Sequence, residues 1–483
     1  MRFFFIILCF CIMFNTFAQN VETRRATSLQ DTIPHKKGKK VKAFLSLSDT
    51  DTLRERHALT TANDNFPEKQ KKWDLNWSGL IGFEAFWDTR KPVEARDGGI
   101  YLYPADVYHD KNGKDINARA SFNFCVMNTR LTLKIQAPEA LGAKISGMVE
   151  GWFMGISNSD MNGFALRHAL IKMDWKSTQL LFGQTWHPLF TERMFAYTVA
   201  GSAGAPFQTF ARVPQIRVTQ KFAKNNFLLL YLNAQRDLLS FGPNGASTEY
   251  LRQSIMPEMG LQYIFDCQTK DRKNSSQHQI YGGLGFNFKR LVPRLMTADT
   301  IATKKGLDSY SGVAFFHYEH QINKKLKAGF KLKGVFMQNS YEYLMIGGYA
   351  IKEYEKNVPL NPKIDYDYTN LNTLSFWSDL YLNYRSWEVG IFGGYCQNLG
   401  SFHNIQAHKN PLSYYVRVPN ADFMYRLSAR LKYTAHKLQF CLEPEYTSAV
   451  YGTALTANAK VDIAMKTHWV HNLRVLVSTV LYF

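Results

Sequence analysis

The sequence predicts an all-β protein, a sixteen-stranded antiparallel transmembrane β-barrel of the outer-membrane type. Three observations carry that expectation: an export signal at the start, period-2 alternation of apolar and polar residues from Trp73 onward, and a regular exchange of short and long connections between the alternating segments.

The chain opens on Met1-Arg2, residues 3–14 are uncharged and apolar, and Asn15-Thr16-Phe17-Ala18 supplies small or polar residues where a signal peptidase cuts. Residues 1–18 are therefore expected to be a secretory signal, too short for a membrane-spanning helix, which needs about 18 apolar residues or more. Cys9 and Cys11 raise the lipoprotein alternative, but Leu8 and Phe10 are too bulky for the position before a lipidated cysteine. No later stretch approaches the length of a membrane helix, which excludes a helical membrane protein. The chain is nevertheless 14% aromatic and only 20% charged, with apolar residues set singly between polar ones. That pattern suits a sheet with one face in lipid and the other in water.

Residues 19–72 are polar and basic, with the cluster His35-Lys36-Lys37-Gly38-Lys39-Lys40 and the breakers Pro34 and Pro67, and read as a periplasmic extension or linker. The barrel is expected over 73–483. Its candidate strands are 73–90, 121–136, 143–156, 164–176, 179–190, 212–222, 226–238 and 258–267, then 278–289, 309–322, 325–338, 372–384, 386–397, 417–434, 437–450 and 468–483. Short connections such as 137–142, 176–178, 223–225, 323–324, 385–386 and 434–437 alternate with long ones such as 91–120, 190–211 and 339–371. Periplasmic turns are short and outer loops long, so both chain ends fall in the periplasm. The last strand places Leu473, Val475, Val477, Leu481 and Phe483 on one face. A terminal aromatic residue after such a strand resembles the signal that the barrel-assembly machinery reads, which makes that machinery an expected partner.

Six cysteines are present, two of them in the signal. Cys125, Cys267, Cys396 and Cys441 are scattered without CxxC spacing, so neither a metal nor a redox motif is supported and no cofactor is expected. The net charge of +19 falls by one when Arg2 leaves with the signal. Export argues against nucleic acid as the partner, so the placement of the charge matters more than its sum.

Alternation assigns that placement. In 213–222, Gln215, Arg217, Thr219 and Lys221 oppose an apolar face of Pro214, Ile216, Val218 and Phe222. In 423–433, Arg426, Arg430 and Lys432 oppose Leu427 and Leu431, and in 326–336 Lys327, Lys331 and Lys333 oppose Phe330 and Leu332. Arg130, Lys134 and Arg474 follow the same rule. A charge on the lipid face near the midplane costs about 2–4 kcal/mol, so the cations are expected inward. The acids on the assigned faces are fewer: Glu150, Asp379, Glu443 and Glu445. A positive, water-filled lumen would favour anions. The competing expectation is a lumen of cross-strand ion pairs with weak selectivity, and a hairpin centred near Ala140 would set Arg130 opposite Glu150. The loop 191–211, rich in Gly, Ala and Phe, is the third outer loop and a candidate inward constriction.

Between about Thr129 and Lys221 the sequence resembles the DcaP-like trimeric outer-membrane porin family. The matching pieces are Arg130-Leu131-Thr132-Leu133-Lys134, Glu150-Gly151-Trp152-Phe153, Leu166-Arg167-His168-Ala169, Gly183-Gln184-Thr185-Trp186 and Arg212-Val213-Pro214-Gln215-Ile216-Arg217. The resemblance implies a sixteen-stranded homotrimeric channel for small anions such as dicarboxylates, with Arg130, Glu150, Arg167, Gln184 and Arg217 lining the pore. Trp152 stands where the family often has an acid, and the N-terminal extension shows no sustained heptads. Two other functions compete with this one. A hydrolase could use His168, His187 or Asp174, but no Gly-x-Ser-x-Gly or His-Glu-x-x-His occurs. An adhesin would rest on the long loops. The expected function is a non-enzymatic porin that passes small hydrophilic solutes, anions preferred.

Overall fold

A computed structural model describes residues 73–199, 203–271, 276–356, 360–406 and 414–483. The expected signal, 1–18, and basic extension, 19–72, lie outside the described residues.

Among the described residues sixteen antiparallel strands form a closed wall. The first eight are β1 (Asp74–Asp88), β2 in two pieces (Ser121–Cys125 and Arg130–Ala140), β3 (Ala143–Trp152), β4 (Ala165–Asp174), β5 (Thr178–Trp186), β6 (Arg212–Ala223), β7 (Asn226–Asn233) and β8 (Glu258–Asp271). The rest are β9 (Ser276–Leu291), β10 (Leu307–Asn323), β11 (Leu326–Gln338), β12 (Tyr368–Tyr384), β13 (Trp387–Ser401), β14 (Ala421–Ala435), β15 (Leu438–Gly452) and β16 (Thr467–Tyr482). Each strand pairs with the next in sequence. Closure comes from β1 against β16, in register from Leu80↔Tyr482 to Asp88↔Arg474. Gly79 and Phe483 add reciprocal backbone bonds of 3.2 Å. A Cβ at Gly79 would meet the Arg130 carbonyl oxygen at 2.4 Å and the Phe483 ring at 2.5 Å, so the seam requires glycine there. Closure removes the unpaired edge that hydrocarbon would penalise by several kcal/mol per group.

The pleat separates two faces. Ile81, Phe124, Ile171, Leu284, Leu380, Leu427 and Val477 lie exposed outside, whereas Ser375, Asp379, Arg430, Glu443 and Arg474 are buried inside. An exposed belt of that kind is stable only where the solvent is lipid. Short turns join alternate strands at the end that holds both Trp73 and Phe483, and long loops lie at the other end.

Several predicted boundaries move, each for a local reason. The strand expected over 179–190 ends at Trp186, because Pro188 has no amide hydrogen to give a ladder and starts a 3-10 turn, Pro188–Phe190. The expected 143–156 ends at Trp152 and 226–238 at Asn233. The expected 417–434 starts only at Ala421, after Pro419. The strand expected over 121–136 breaks between Cys125 and Arg130, where β1 pairs Glu84↔Cys125 and Leu80↔Arg130 and so leaves one extra residue on β2.

The predicted Arg130–Glu150 pair is also corrected. The β2–β3 turn is tighter and later than expected, at Leu141 and Gly142, both at positive φ. A bulge between Ala137 and Ala140 then takes the register back by one residue, so that Arg130 faces Trp152 and Thr132 faces Glu150. A second bulge, between β3 and β4, aligns Glu150↔His168 and Gly151↔Leu166 and leaves Arg167 as the extra residue. Both Arg167 and His168 are consequently buried, although they are sequence neighbours.

Candidate functional site: the loop-filled lumen

Two long loops turn into the barrel. The loop of residues 187–211 buries Leu189, Phe190, Met194, Ala196, Phe207 and Phe210 against the wall. Inward cations hold its backbone. Lys333 Nζ donates to the carbonyls of Leu189 and Phe190 at 2.7 and 2.8 Å, Lys331 Nζ to Phe195 at 2.7 Å, and Lys432 Nζ to Tyr197 at 2.6 Å. Acids take the exposed amides: Tyr197 N–H donates to Asp379 at 2.7 Å and Val199 N–H to Glu443. Each of these backbone groups would otherwise be buried without a partner.

The first long loop also folds inward, which the sequence reading did not anticipate. It carries a hairpin, Pro92–Ala95 with Ile100–Pro104, whose Tyr101, Leu102 and Tyr103 are buried. Arg426 bridges the two loops, donating to Ala205 O at 3.0 Å and Leu102 O at 2.8 Å. Arg474 donates to both Asp88 carboxylate oxygens at 2.9 and 2.8 Å and to Gly98 O at 2.9 Å.

These contacts sort the predicted lumen residues. Arg430 is paired with Asp379 at 2.6 Å and Glu388 at 2.9 Å, Lys327 with Glu319 at 3.2 Å, and Arg426 lies 3.8 Å from Glu445. With Lys331, Lys333, Lys432 and Arg474, they hold the loops and the wall. Gln184 and Gln215 give their amides to backbone carbonyls, Leu166 O at 3.2 Å and Trp186 O at 3.0 Å. Lys134 and Lys221 are exposed near the short turns. Glu150 accepts from Thr132 at 2.7 Å and pairs with Arg167.

The remaining cations gather on one side. The Trp152 ring has three guanidinium carbons around it, Arg212 at 4.1 Å, Arg167 at 5.1 Å and Arg130 at 5.7 Å from its centroid. Arg212 and Arg167 also stand 5.1 and 5.3 Å from the Trp186 ring, which stacks on Phe190 at 4.1 Å. Cation–π contact lets like charges share a buried space that they would otherwise leave. Arg212 is ion-paired with Asp237 at 2.7 Å. Arg167 Nε, Arg212 Nη1 and Arg217 Nε are buried without a hydrogen-bond partner among the described residues. Just above, Arg96 of the first loop has its pKa lowered by burial, with Asp237 opposing and Arg212 adding to the shift. Below the group lies a cavity of about 200 Å³, bordered by Trp152, Trp186, Arg130, Arg167, Glu84 and Asn128.

Sequence reasoning missed Arg212, Arg96, Glu84 and Asn128 as site residues. Arg212 is the first residue of its strand, where alternation does not yet fix a direction, and Arg96 belongs to a loop. Asn128 sits in the break of β2. Glu84 was legible: it lies two residues from Phe86 and Gly82 in a strand of clean alternation, and its charge could have marked it. The histidines weighed for a hydrolase hold structure instead. His187 Nδ1 accepts from Leu189 N–H at 3.1 Å while its Nε2 lies 3.2 Å from Glu258, and His168 packs edge-on to Trp186.

A closed sixteen-stranded barrel with an apolar belt, short turns, long loops and an inward third loop is the outer-membrane porin fold. The chain is similar to the outer membrane channel DcaP of Acinetobacter baumannii, with a TM-score of 0.54 and 14% identity over 86% of this chain and 99% of that one. It is also similar to the anion-selective porin from Comamonas acidovorans (TM-score 0.47, 9% identity, 85% of this chain and 100% of that one) and to OmpT of Vibrio cholerae (TM-score 0.44, 9% identity, 86% and 99%). At these identities the likeness concerns the fold. No protein-family model and no curated protein matches the chain.

Proposed function

We propose that the chain is an outer-membrane porin through which small hydrophilic solutes diffuse passively, anions in preference. The observation that supports this reading is the arginine group at Trp152 and Trp186. It stands beside a cavity in the barrel interior, with guanidinium hydrogens that no protein acceptor takes up. Fixed, dehydrated donors of one sign raise the local concentration of the opposite ion and lower its entry barrier. Arg130 and Arg167 are the predicted pore residues that carry this role, with Arg212 added, whereas Arg217 stands apart from the group, near Glu192 and Tyr281. Lys134 and Lys221 enrich anions at the exposed mouth, and Glu150, Gln184 and Gln215 set the arginines' places. Lys327, Lys331, Lys333, Arg426, Arg430, Lys432 and Arg474 shape the path by holding its walls. The sequence resemblance alone points to dicarboxylate-type solutes, which the Glu84 carboxylate in the same cavity opposes.

The rest of the reading is consistent with export. Residues 1–18 direct secretion, 19–72 remain in the periplasm, and the strand ending at Phe483 is read by the barrel-assembly machinery. A homotrimer follows from the sequence resemblance.

Reversal potentials in planar bilayers test the proposal. Charge reversal at Arg167 or Arg130 is expected to move the selectivity toward cations. Unchanged selectivity in both variants, with the barrel folded, would remove the arginine group from the conducting path.

A further inference from the structure

The cavity beneath the arginine group carries an acid as well as a base, and their arrangement narrows the solute. Glu84 is 2% exposed and, among the described residues, has only neutral hydrogen-bond partners, Asn128 Nδ2 at 3.1 Å from its Oε1 and Cys125 Sγ at 3.6 Å from its Oε2. Arg130 donates from Nε and Nη2 to Asn128 Oδ1, at 3.1 and 2.6 Å. Asn128 thus stands between a carboxylate and a guanidinium that border one cavity, and no ion pair joins the two. The other charged groups at this wall have counter-ions: Arg167 has Glu150, and Lys432 has Glu388 at 3.4 Å. Trp152, Trp186 and Phe195 supply an apolar side.

We infer that this cavity receives amino-acid-type zwitterions with an apolar side chain, the carboxylate at Arg130 and Arg167 and the ammonium at Glu84. This rests on the channel reading of the barrel. A buried charge without a counter-ion is costly, and removing that cost is what a matching solute does on arrival. A dicarboxylate satisfies Arg130 but brings its second carboxylate toward Glu84. A simple amine satisfies Glu84 but meets Arg130. Only a solute with both charges on adjacent carbons relieves both sides, so the mismatched charge acts as the repulsive element of selectivity. The volume of about 200 Å³ is below the 300–1,000 Å³ or so of drug-sized pockets and suits one small solute.

Matched probes test the assignment on the full-length protein: phenylalanine, 3-phenylpropionate, which lacks the ammonium, phenethylamine, which lacks the carboxylate, and succinate. Binding is read twice, as current block in planar bilayers and as quenching of tryptophan fluorescence in detergent. Phenylalanine is expected to bind at least about tenfold more tightly than the other three, the effect of one added charge-assisted hydrogen bond in a buried site. Glu84→Gln should abolish the advantage over 3-phenylpropionate, and Arg130→Gln the advantage over phenethylamine. Equal binding of phenylalanine and 3-phenylpropionate by the native protein overturns the inference, and that comparison needs no variant to fold. A barrel that conducts without distinguishing the probes overturns this inference alone. A barrel that binds phenylalanine selectively and conducts nothing overturns the channel reading and keeps the site.

Discussion

Arg474 and Arg167 show how differently two inward arginines are used. Arg474 is 1% exposed and bound to both oxygens of Asp88. Removing one partner of such a pair leaves a buried charge uncompensated, so Arg474→Met is expected to destabilise the barrel by about 3–5 kcal/mol, measured as earlier heat unfolding in detergent. Its selectivity should barely move. Arg167 has an unpartnered Nε beside Trp152 but also pairs with Glu150, so its charge reversal should move selectivity and lower stability together. A pH effect belongs to the first loop. Burial opposes the charge on Asp115, yet the Arg90 guanidinium at 2.7 Å and the N–H groups of Tyr108 and Asn117 hold its carboxyl below the usual range. A depressed carboxylate stabilises the fold above its unfolded pKa and loses that contribution as pH falls through the folded one. Protease resistance of the 89–120 loop should therefore drop in acid below the ordinary aspartate range. Asp115→Asn should lower it at neutral pH and flatten the dependence.

At the scale of elements, the inward loop is a strap whose amides and carbonyls are tied to the wall at Leu189, Phe190, Phe195, Tyr197 and Val199. The Tyr197 side chain adds to these ties. Lys331 Nζ lies 3.4 Å from the ring centroid and Tyr381 packs edge-on at 5.0 Å. Tyr197→Ala should loosen the strap and raise single-channel conductance, with more frequent current flicker. No change in conductance would mean that the strap borders no conducting path. The closing strand has its own test. Deleting Phe483 removes both backbone bonds to Gly79, so the folded fraction recovered from outer membranes should fall.

Most of the wall was readable in advance, because a period of two and a closed edge leave few ways to place a strand such as 423–433. What escaped was local. A bulge inserts one residue without changing composition, and two of them turned the expected Arg130–Glu150 pair into Thr132–Glu150 and Arg167–Glu150. The lumen's charge was legible by sign and not by use. Alternation places Lys333 and Arg426 inside, but only the fold shows that loop carbonyls occupy them. Loops lack a period, so the inward hairpin that carries Arg96 left no signal of its own.

For the whole molecule, most inward cations build the walls, and the proposed anion preference rests on a small arginine group. Purified protein in a planar bilayer under a KCl gradient examines that claim most directly. The account predicts stepwise currents with a zero-current potential of the sign set by chloride, moved toward the potassium sign by charge reversal at Arg167. Absence of steps, or a native zero-current potential of the potassium sign, would contradict it.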